Sequence, residues 1–191
     1  SINTDEISNI DYYPLKINNC WIYDLYIKKE NQEILLSRKL TTIVGDTIIP
    51  QNNKLYYMVK QGEERILERI DLFSGIVYSA YINANNQVIE NPIYSLYDQE
   101  EGKVQSLYWN GTLNSFTCSN DTLNVFNNYL VASKSFTGVN NNSNSFTMCK
   151  GIGLYTESYS SDGLNYSQEL KYAKVGTTTF GSKNSPANIL N

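Results

Sequence analysis

Histidine is absent from the 191 residues of this sequence, and its absence excludes many kinds of active site. Histidine is the side chain that most often transfers protons and ligates metals near neutral pH. Without it, neither a Ser-His-Asp nor a Cys-His nucleophilic arrangement can be assembled. We therefore predict that the protein is not an enzyme, and we expect no cofactor and no metal site.

Charged residues and long apolar runs are also scarce. Charged residues make up 18% of the chain, with 15 Lys and Arg against 19 Asp and Glu. Nucleic acids are bound by clustered basic side chains. Because the net charge is −4 and no basic run occurs, we exclude nucleic acid as a partner. No apolar run reaches the 18 or so residues of a membrane-spanning helix, so the chain is not expected to span a bilayer.

The start of the chain gives no direct sign of its compartment. Residues 1–5 (Ser-Ile-Asn-Thr-Asp) are polar, unlike the charged and apolar regions of a secretory leader. Composition therefore leaves two alternatives: a cytoplasmic protein, or an exported protein whose leader has been removed.

The three cysteines, Cys20, Cys118 and Cys149, leave two interpretations open. An odd number allows at most one internal disulfide, and Cys118 and Cys149 both lie in strand-like sequence. A bridge between them would close a loop of about 30 residues and stabilise the fold by on the order of 3–4 kcal/mol. In the other interpretation, all three are small buried apolar side chains.

Apolar and polar residues alternate with a period of two through most of the chain, which predicts β-strands. One face of an early strand carries Trp21, Tyr23, Leu25 and Ile27, and one face of a late strand carries Tyr166, Gln168, Leu170 and Tyr172. About a dozen such segments are joined by Gly- and Asn-rich turns that are too short for crossover helices. This spacing favours antiparallel pairing of neighbouring strands.

A sheet of about a dozen strands must curl or close to bury one face. We therefore predict an all-β fold with a single antiparallel, strongly curved sheet, either a half-barrel or a lipocalin-like barrel. Residues 1–11 are expected to form an extended N-terminal segment, 12–181 a single β domain, and 182–191 a polar tail or linker.

Three local expectations follow from glycine and proline. A strand over residues 34–44 is expected to end at Gly45-Asp46. Residues 92–102, which begin with Pro92, are expected to form a helical turn or an irregular connection. In residues 151–153 (Gly-Ile-Gly), no helix start and no lysine follow, so we expect a bulge or a close backbone approach rather than a phosphate-binding loop.

Several motifs together resemble an uncharacterised family of secreted bacterial proteins associated with type IX secretion. The family's opening pattern, Tyr-Phe-Pro-Leu-x-x-Gly-Asn-x-Trp-x-Tyr, is similar to residues 12–23, and its Leu-Tyr-Asp element is similar to residues 96–98. Its Gly-Ile-Gly-Leu motif, its Glu-Leu-x-Tyr-Ala-Lys strand and its final aromatic-Gly pair resemble residues 151–154, 169–174 and 180–181. Asn18 stands where the family has glycine. The resemblance implies an extracytoplasmic location and no established activity.

The 16 tyrosines have two interpretations. Aromatic rings on the concave face of a curved sheet could hold a glycan or an apolar chain, and the candidates for this ligand face are Tyr23, Trp109, Tyr155 and Tyr172. Alternatively, tyrosine is simply a good residue for half-buried strands. Trp21 is expected to be a core anchor.

Carboxylates are the remaining candidates for catalysis. Two groups stand out, one with Asp98, Glu100 and Glu101, and another with Glu157 and Asp162. Paired acids can hydrolyse glycosides when they lie about 5–9 Å apart in a cleft. The first group is more typical of a solvated loop.

We predict a non-catalytic secreted, periplasmic or cell-surface protein, most simply a binding module for an apolar (lipid-like) or glycan ligand. One alternative is a structural or interaction domain of a larger exported protein, with a protein partner at the envelope. A carboxylate-based hydrolase is a distant alternative.

Overall fold

The computed structural model describes residues 10–29, 32–97, 103–109, 111–140 and 143–184, and in these ranges the fold is all-β. The only helical element there is a single 3₁₀ turn, Ile10–Tyr12. No helix in the described ranges is long and apolar enough to cross a membrane. The predicted fold class is therefore confirmed.

Within the described ranges, thirteen strands form one sheet. Those of the N-terminal half are β1 (Cys20–Lys29), β2 (Gln32–Ile49), β3 (Lys54–Gln61), β4 (Glu64–Asp71), β5 (Ile76–Ile82) and β6 (Val88–Ser95). Those of the C-terminal half are β7 (Val104–Trp109), β8 (Thr112–Val125), β9 (Tyr129–Gly138), β10 (Ser145–Cys149), β11 (Gly153–Ser161), β12 (Leu164–Val175) and β13 (Thr178–Gly181).

The sheet consists of two antiparallel meanders joined by one long-range ladder. Its strand order is β6-β5-β4-β3-β2-β1-β12-β11-β10-β9-β8-β7, and β13 pairs with β12. Each half follows chain order, as short turns require. The two halves meet where β1 pairs antiparallel with β12.

The sheet curls into a nearly closed barrel with one open seam. Its two outer strands, β6 and β7, lie side by side but share no backbone ladder. The observed form thus lies between the two predicted alternatives, nearer the barrel than the half-barrel. Part of the connection between these strands, residues 98–102, lies outside the described residues, as do residues 1–9 and 185–191. The predicted division into segment, domain and tail therefore stays a prediction.

One part of the barrel interior is filled by aromatic rings centred on Phe146. This ring stacks on Phe136 at 4.5 Å and on Trp109 at 4.7 Å between centroids. The rings of Phe116 and Tyr94 approach it edge-on at 5.5 and 5.3 Å. These contacts join β6, β7, β8, β9 and β10, so the packing of the interior compensates for the missing ladder at the seam.

The segment before β1 is tied to the barrel through Asn19, which is 1% exposed. Its Nδ2 donates to the carbonyl oxygen of Pro14, and its Oδ1 accepts from the amide of Gly176, both at 2.8 Å. The preceding Asn18 has a φ of 72°, a left-handed conformation that asparagine tolerates. These bonds hold the segment against the barrel, where its aromatic side chains reach the interior.

One local expectation was wrong, and a second was wrong in part. β2 does not end at Gly45; it continues to Ile49 across a bulge between Ile43 and Gly45. A Cβ on Gly45 would lie 2.7 Å from Cε of Met58, so glycine here permits a close approach within the sheet. Of the helical turn or irregular connection expected over residues 92–102, residues 92–95 belong instead to β6, residues 96–97 lie in no helix or strand, and residues 98–102 lie outside the described residues. Because β6 is an outer strand of the sheet, it tolerates Pro92.

The Cys118–Cys149 bridge considered from the sequence is not formed. Cys118 lies on β8 and Cys149 on β10, and β9 runs between them. Two strand spacings amount to about 9–10 Å, whereas the Cα atoms of a disulfide lie within about 7 Å. Cys149 is fully buried, and this burial raises the pKa of its thiol to about 12, which fits the alternative interpretation of a small apolar side chain.

The central position of Phe146 gives a test of the fold. We expect Phe146→Ala to lower the free energy of unfolding by about 3–5 kcal/mol, because it leaves a cavity among four rings. Phe73→Ala is the matched control, since Phe73 is 94% exposed in the turn after β4, and its effect should stay within about 0.5 kcal/mol. Urea unfolding of both variants makes the comparison; equal losses would contradict this packing.

Candidate functional site

The part of the barrel interior that the aromatic rings leave unfilled forms a cavity of about 330 Å³. We call it the interior cavity. Its wall is built from β1, β2, β3, β4, β6, β11 and β12, together with the segment before β1. Six of its lining residues carry most of its chemistry, namely Tyr13, Tyr23, Lys39, Glu68, Tyr94 and Glu157.

The cavity has a buried floor and an open mouth. Along β1, Trp21 and Tyr23 are buried and Leu25 is partly exposed. On the neighbouring β2, Thr41 is buried and Ser37 is exposed. Because β1 and β2 are antiparallel, with Trp21 opposite Thr41 and Leu25 opposite Ser37, the cavity opens at the Leu25–Ser37 end.

Glu68 is the most deeply buried acid of the cavity, at 4% exposure. Burial raises the pKa of its carboxyl group to about 7, and a hydrogen bond from Tyr13 acts in the opposite direction. In that bond the Tyr13 hydroxyl donates to Oε2 at 2.6 Å. Among the described residues, nothing donates a hydrogen bond to the other oxygen, Oε1. This oxygen is therefore available to a ligand.

Glu157 is the second acid of the cavity and comes from the other half of the chain. Burial raises the pKa of its carboxyl group to about 7, and the positive charge of Lys39 acts in the opposite direction. Its only hydrogen-bond donor in the described part of the chain is Gln168, whose Nε2 lies 3.4 Å from Oε2. The cavity thus contains two carboxyl groups with similar, raised pKa values.

Three tyrosines surround these acids. The Tyr23 hydroxyl donates to the carbonyl oxygen of Leu154 at 3.0 Å, and the rings of Tyr13 and Tyr94 pack 5.0 Å apart. Burial, followed by the charge of nearby glutamates, raises the pKa of all three hydroxyls. They therefore stay protonated near neutral pH and can donate hydrogen bonds.

Of the four aromatics predicted for a ligand face, Tyr23 lines the interior cavity and the others do not. Trp109 is 5% exposed and belongs to the aromatic filling, where its ring stacks on Phe146. Its position next to a hairpin turn made it look accessible in the sequence, but the closing of the barrel buries it.

Tyr155 and Tyr172 lie outside the cavity because bulges reverse the direction of their side chains. The ladder between β10 and β11 shifts register around Tyr155, so Leu154 and Glu157 both face inward. Tyr155 packs instead against Phe126, with centroids 5.7 Å apart. The β1–β12 ladder shifts in the same way beside Tyr172, which pairs with the outward-facing Ile22. A strict period of two cannot anticipate either bulge.

Other sequence predictions have mixed outcomes. Trp21 is a core anchor as expected; it is 6% exposed, and its Nε1 donates to the carbonyl oxygen of Ile152 at 2.5 Å. The close backbone approach predicted at residues 151–153 is confirmed, since a Cβ on Gly153 would lie 3.3 Å from that indole nitrogen. Asp162 lies in the exposed turn between β11 and β12, away from the cavity. Asp98, Glu100 and Glu101 lie outside the described residues.

Sequence reasoning missed Glu68, although its signal was present. On β4, Ile66, Glu68 and Ile70 share one face, and both isoleucines pack against the core. A charged residue between two inward-facing isoleucines indicates a buried acid, which is uncommon unless it has a function or a partner. Tyr13, Lys39 and Tyr94 had no comparable signal.

The described residues offer little for a metal ion. No group of three or more His, Cys, Asp or Glu side chains comes together in the described ranges. Glu68 and Glu157 are each accompanied mainly by tyrosines, so the cavity is better suited to an organic ligand than to a hard cation that needs six or more oxygen ligands.

No family model matches this chain, and no curated protein matches it. Among solved structures, the chain is similar to a putative lipoprotein from Parabacteroides distasonis, with a TM-score of 0.31 and 12% sequence identity. The similarity covers 85% of this chain and 98% of that one. At such a low TM-score it carries no argument about function. The family resemblance and the extracytoplasmic location therefore stay predictions.

Burial of Glu68 predicts a pH-dependent stability. Because its pKa rises from 4.5 to about 7 on folding, this group stabilises the native state below pH 4.5, and this contribution is lost as the pH rises through 7. Glu68→Gln keeps an acceptor for Tyr13 but cannot ionise. We expect the variant to be more stable than wild type at pH 8, by on the order of 3 kcal/mol, and similar at pH 4.5.

Urea unfolding at the two pH values measures this difference. Glu64→Gln is the control, because Glu64 is exposed at the start of the same strand. It should change the free energy of unfolding only slightly, and by the same amount at both pH values. A Glu68→Gln variant with the same stability difference from wild type at both pH values would show that Glu68 is not a buried acid.

Proposed function

We propose that the protein is a non-catalytic, extracytoplasmic binding module whose interior cavity holds a small polar organic ligand of the glycan class. The observation that carries this proposal is the cavity itself. At about 330 Å³ it lies at the lower end of the range for small-molecule sites. Elsewhere the core is packed with buried aromatic and aliphatic side chains, so the space is confined.

The lining favours a glycan over an apolar chain. Glu68, Glu157 and Lys39 face the same space, and an apolar ligand would remove them from water without giving them partners. Tyrosine rings and hydroxyls together are suited to sugar rings, because they combine stacking with hydrogen bonding. The lipid-like alternative is therefore less well supported.

A carboxylate-based hydrolase gains one supporting observation, because Glu68 and Glu157 line the same cavity. Such enzymes, however, need one ionised and one protonated acid. In their active sites, the different surroundings of the two acids push the two pKa values apart. Here burial raises both pKa values to about 7. This similarity supports binding more than hydrolysis.

A cavity-filling variant tests the proposal. Thr41 is a buried lining residue, so the ring of Thr41→Phe should occupy ligand space. The matched control is Thr42→Phe, since Thr42 is the next residue of β2 and points to the opposite face of the sheet. Near-ultraviolet circular dichroism should show that both variants remain folded.

Saturation-transfer NMR with neutral mono- and disaccharides and a short-chain alcohol supplies the readout. We expect at least one sugar to give a signal with wild type and with Thr42→Phe, and none with Thr41→Phe. Signals from the alcohol alone would favour the apolar alternative. Sugar signals that survive in Thr41→Phe would place binding outside the cavity and contradict the proposal.

A further inference from the structure

We propose that the ligand of the interior cavity carries an ammonium group, which binds to the carboxylates that line this cavity, those of Glu68 and Glu157. This inference rests on the proposed function and narrows the ligand to one chemical class. The ammonium group could belong to an amino sugar or to an alkylammonium compound, and the experiment below separates these two sources.

The charge balance of the cavity is the first support. Two carboxyl groups line it together with a single lysine, Lys39. In the described ranges, neither Glu68 nor Glu157 forms a salt bridge within 4.0 Å. When both ionise, the cavity holds a net negative charge, so an anionic ligand would be repelled. A ligand cation would provide the missing counter-charge.

The surroundings of Glu68 are the second support. It faces Tyr13 from the segment before β1, Tyr23 from β1, Tyr57 from the adjacent position of β3, and Tyr94 from β6. None of these groups is basic. Its Oε1 receives no hydrogen bond from any described residue, and Glu68 is only 4% exposed at the cavity wall. A donor with positive charge would satisfy this oxygen and offset the cost of ionising it.

The surroundings of Glu157 differ in one respect. It faces Tyr23 from β1, Tyr94 from β6 and Tyr159 from its own strand, together with the basic Lys39 from β2. Lys39 opposes the effect of burial on Glu157, yet the pKa of that carboxyl group is still raised to about 7. Lys39 therefore offsets only part of the negative charge, and no basic side chain in the described part of the chain acts on the deeper Glu68.

The aromatic wall is the third support. Cations bind favourably within about 6 Å of aromatic ring centroids, and tyrosine and tryptophan cages recognise alkylammonium groups in this way. Tyr13 and Tyr94 pack at an angle of 50° beside Glu68, and Trp21 and Tyr23 line the adjoining floor. A group that reaches the carboxylates therefore also meets aromatic rings.

Two matched pairs of probes test the charge directly by isothermal titration calorimetry at pH 7.5. The first pair is glucosamine and glucose, in which a hydroxyl replaces the ammonium group. The second is choline and its uncharged analogue 3,3-dimethylbutan-1-ol. We expect the charged member of at least one pair to bind roughly tenfold or more tightly than its neutral partner. Preference for glucosamine indicates an amino sugar, and preference for choline an alkylammonium compound.

Variants and pH identify the groups responsible. Glu68→Gln and Glu157→Gln should each weaken binding of the preferred cation about tenfold, whereas Glu64→Gln should leave it unchanged. Choline keeps its charge at every pH, so any change of its affinity with pH reports the protonation of the protein's own groups. Because protonation removes the carboxylate charge, wild-type binding of choline should weaken about tenfold from pH 7.5 to pH 6.0 if choline is preferred.

Three results would overturn the inference. The neutral partners could bind as tightly as the cations, the cations could bind Thr41→Phe as well as wild type, or neither cation could bind at all. If neutral probes bind wild type and fail to bind Thr41→Phe, the cavity remains a ligand site and only the charge assignment is wrong. If either glutamate variant fails to fold, the other variant and the pH series still decide the outcome.

Discussion

The antiparallel ladder between β1 and β12 is the constraint on which the rest of the structure depends. It is the only ladder between the two meanders in the described part of the chain, and it closes a separation of more than 130 residues. Two bonds from β1 reinforce it: Trp21 donates to Ile152, and Tyr23 donates to Leu154. Without this junction, Glu68 and Glu157 would belong to two unconnected sheets, and no cavity would lie between them.

The barrel uses its interior in two ways. Around Phe146 the space is filled by stacked and edge-on rings, which connect strands on both sides of the open seam. Toward the mouth the filling stops, and the wall changes to tyrosines and two acids. A packed core alone would not need carboxyl groups whose burial opposes their ionisation. Their presence beside unfilled space is the feature on which the proposed ligand site rests.

The sequence predicted what depends on local pattern. Alternation identified the strands, the short turns indicated antiparallel pairing, and the inward face of β1 with Trp21 and Tyr23 was correct. Alternation failed at Tyr155 and Tyr172, because bulges in the ladders reverse their side chains. Such bulges depend on which strands become neighbours. The meeting of two distant acids depends on the same long-range pairing, so local pattern could not reveal it.

The junction of the two meanders is tested most directly by nuclear Overhauser contacts between backbone protons in a uniformly labelled sample. The account predicts cross-strand contacts that follow the β1–β12 register, including Leu25 with Gln168 and Ile27 with Tyr166. It also predicts the break in register between Ile22 and Tyr23. If β1 showed contacts with β2 alone, the barrel would be split, and the cavity with its paired acids could not exist.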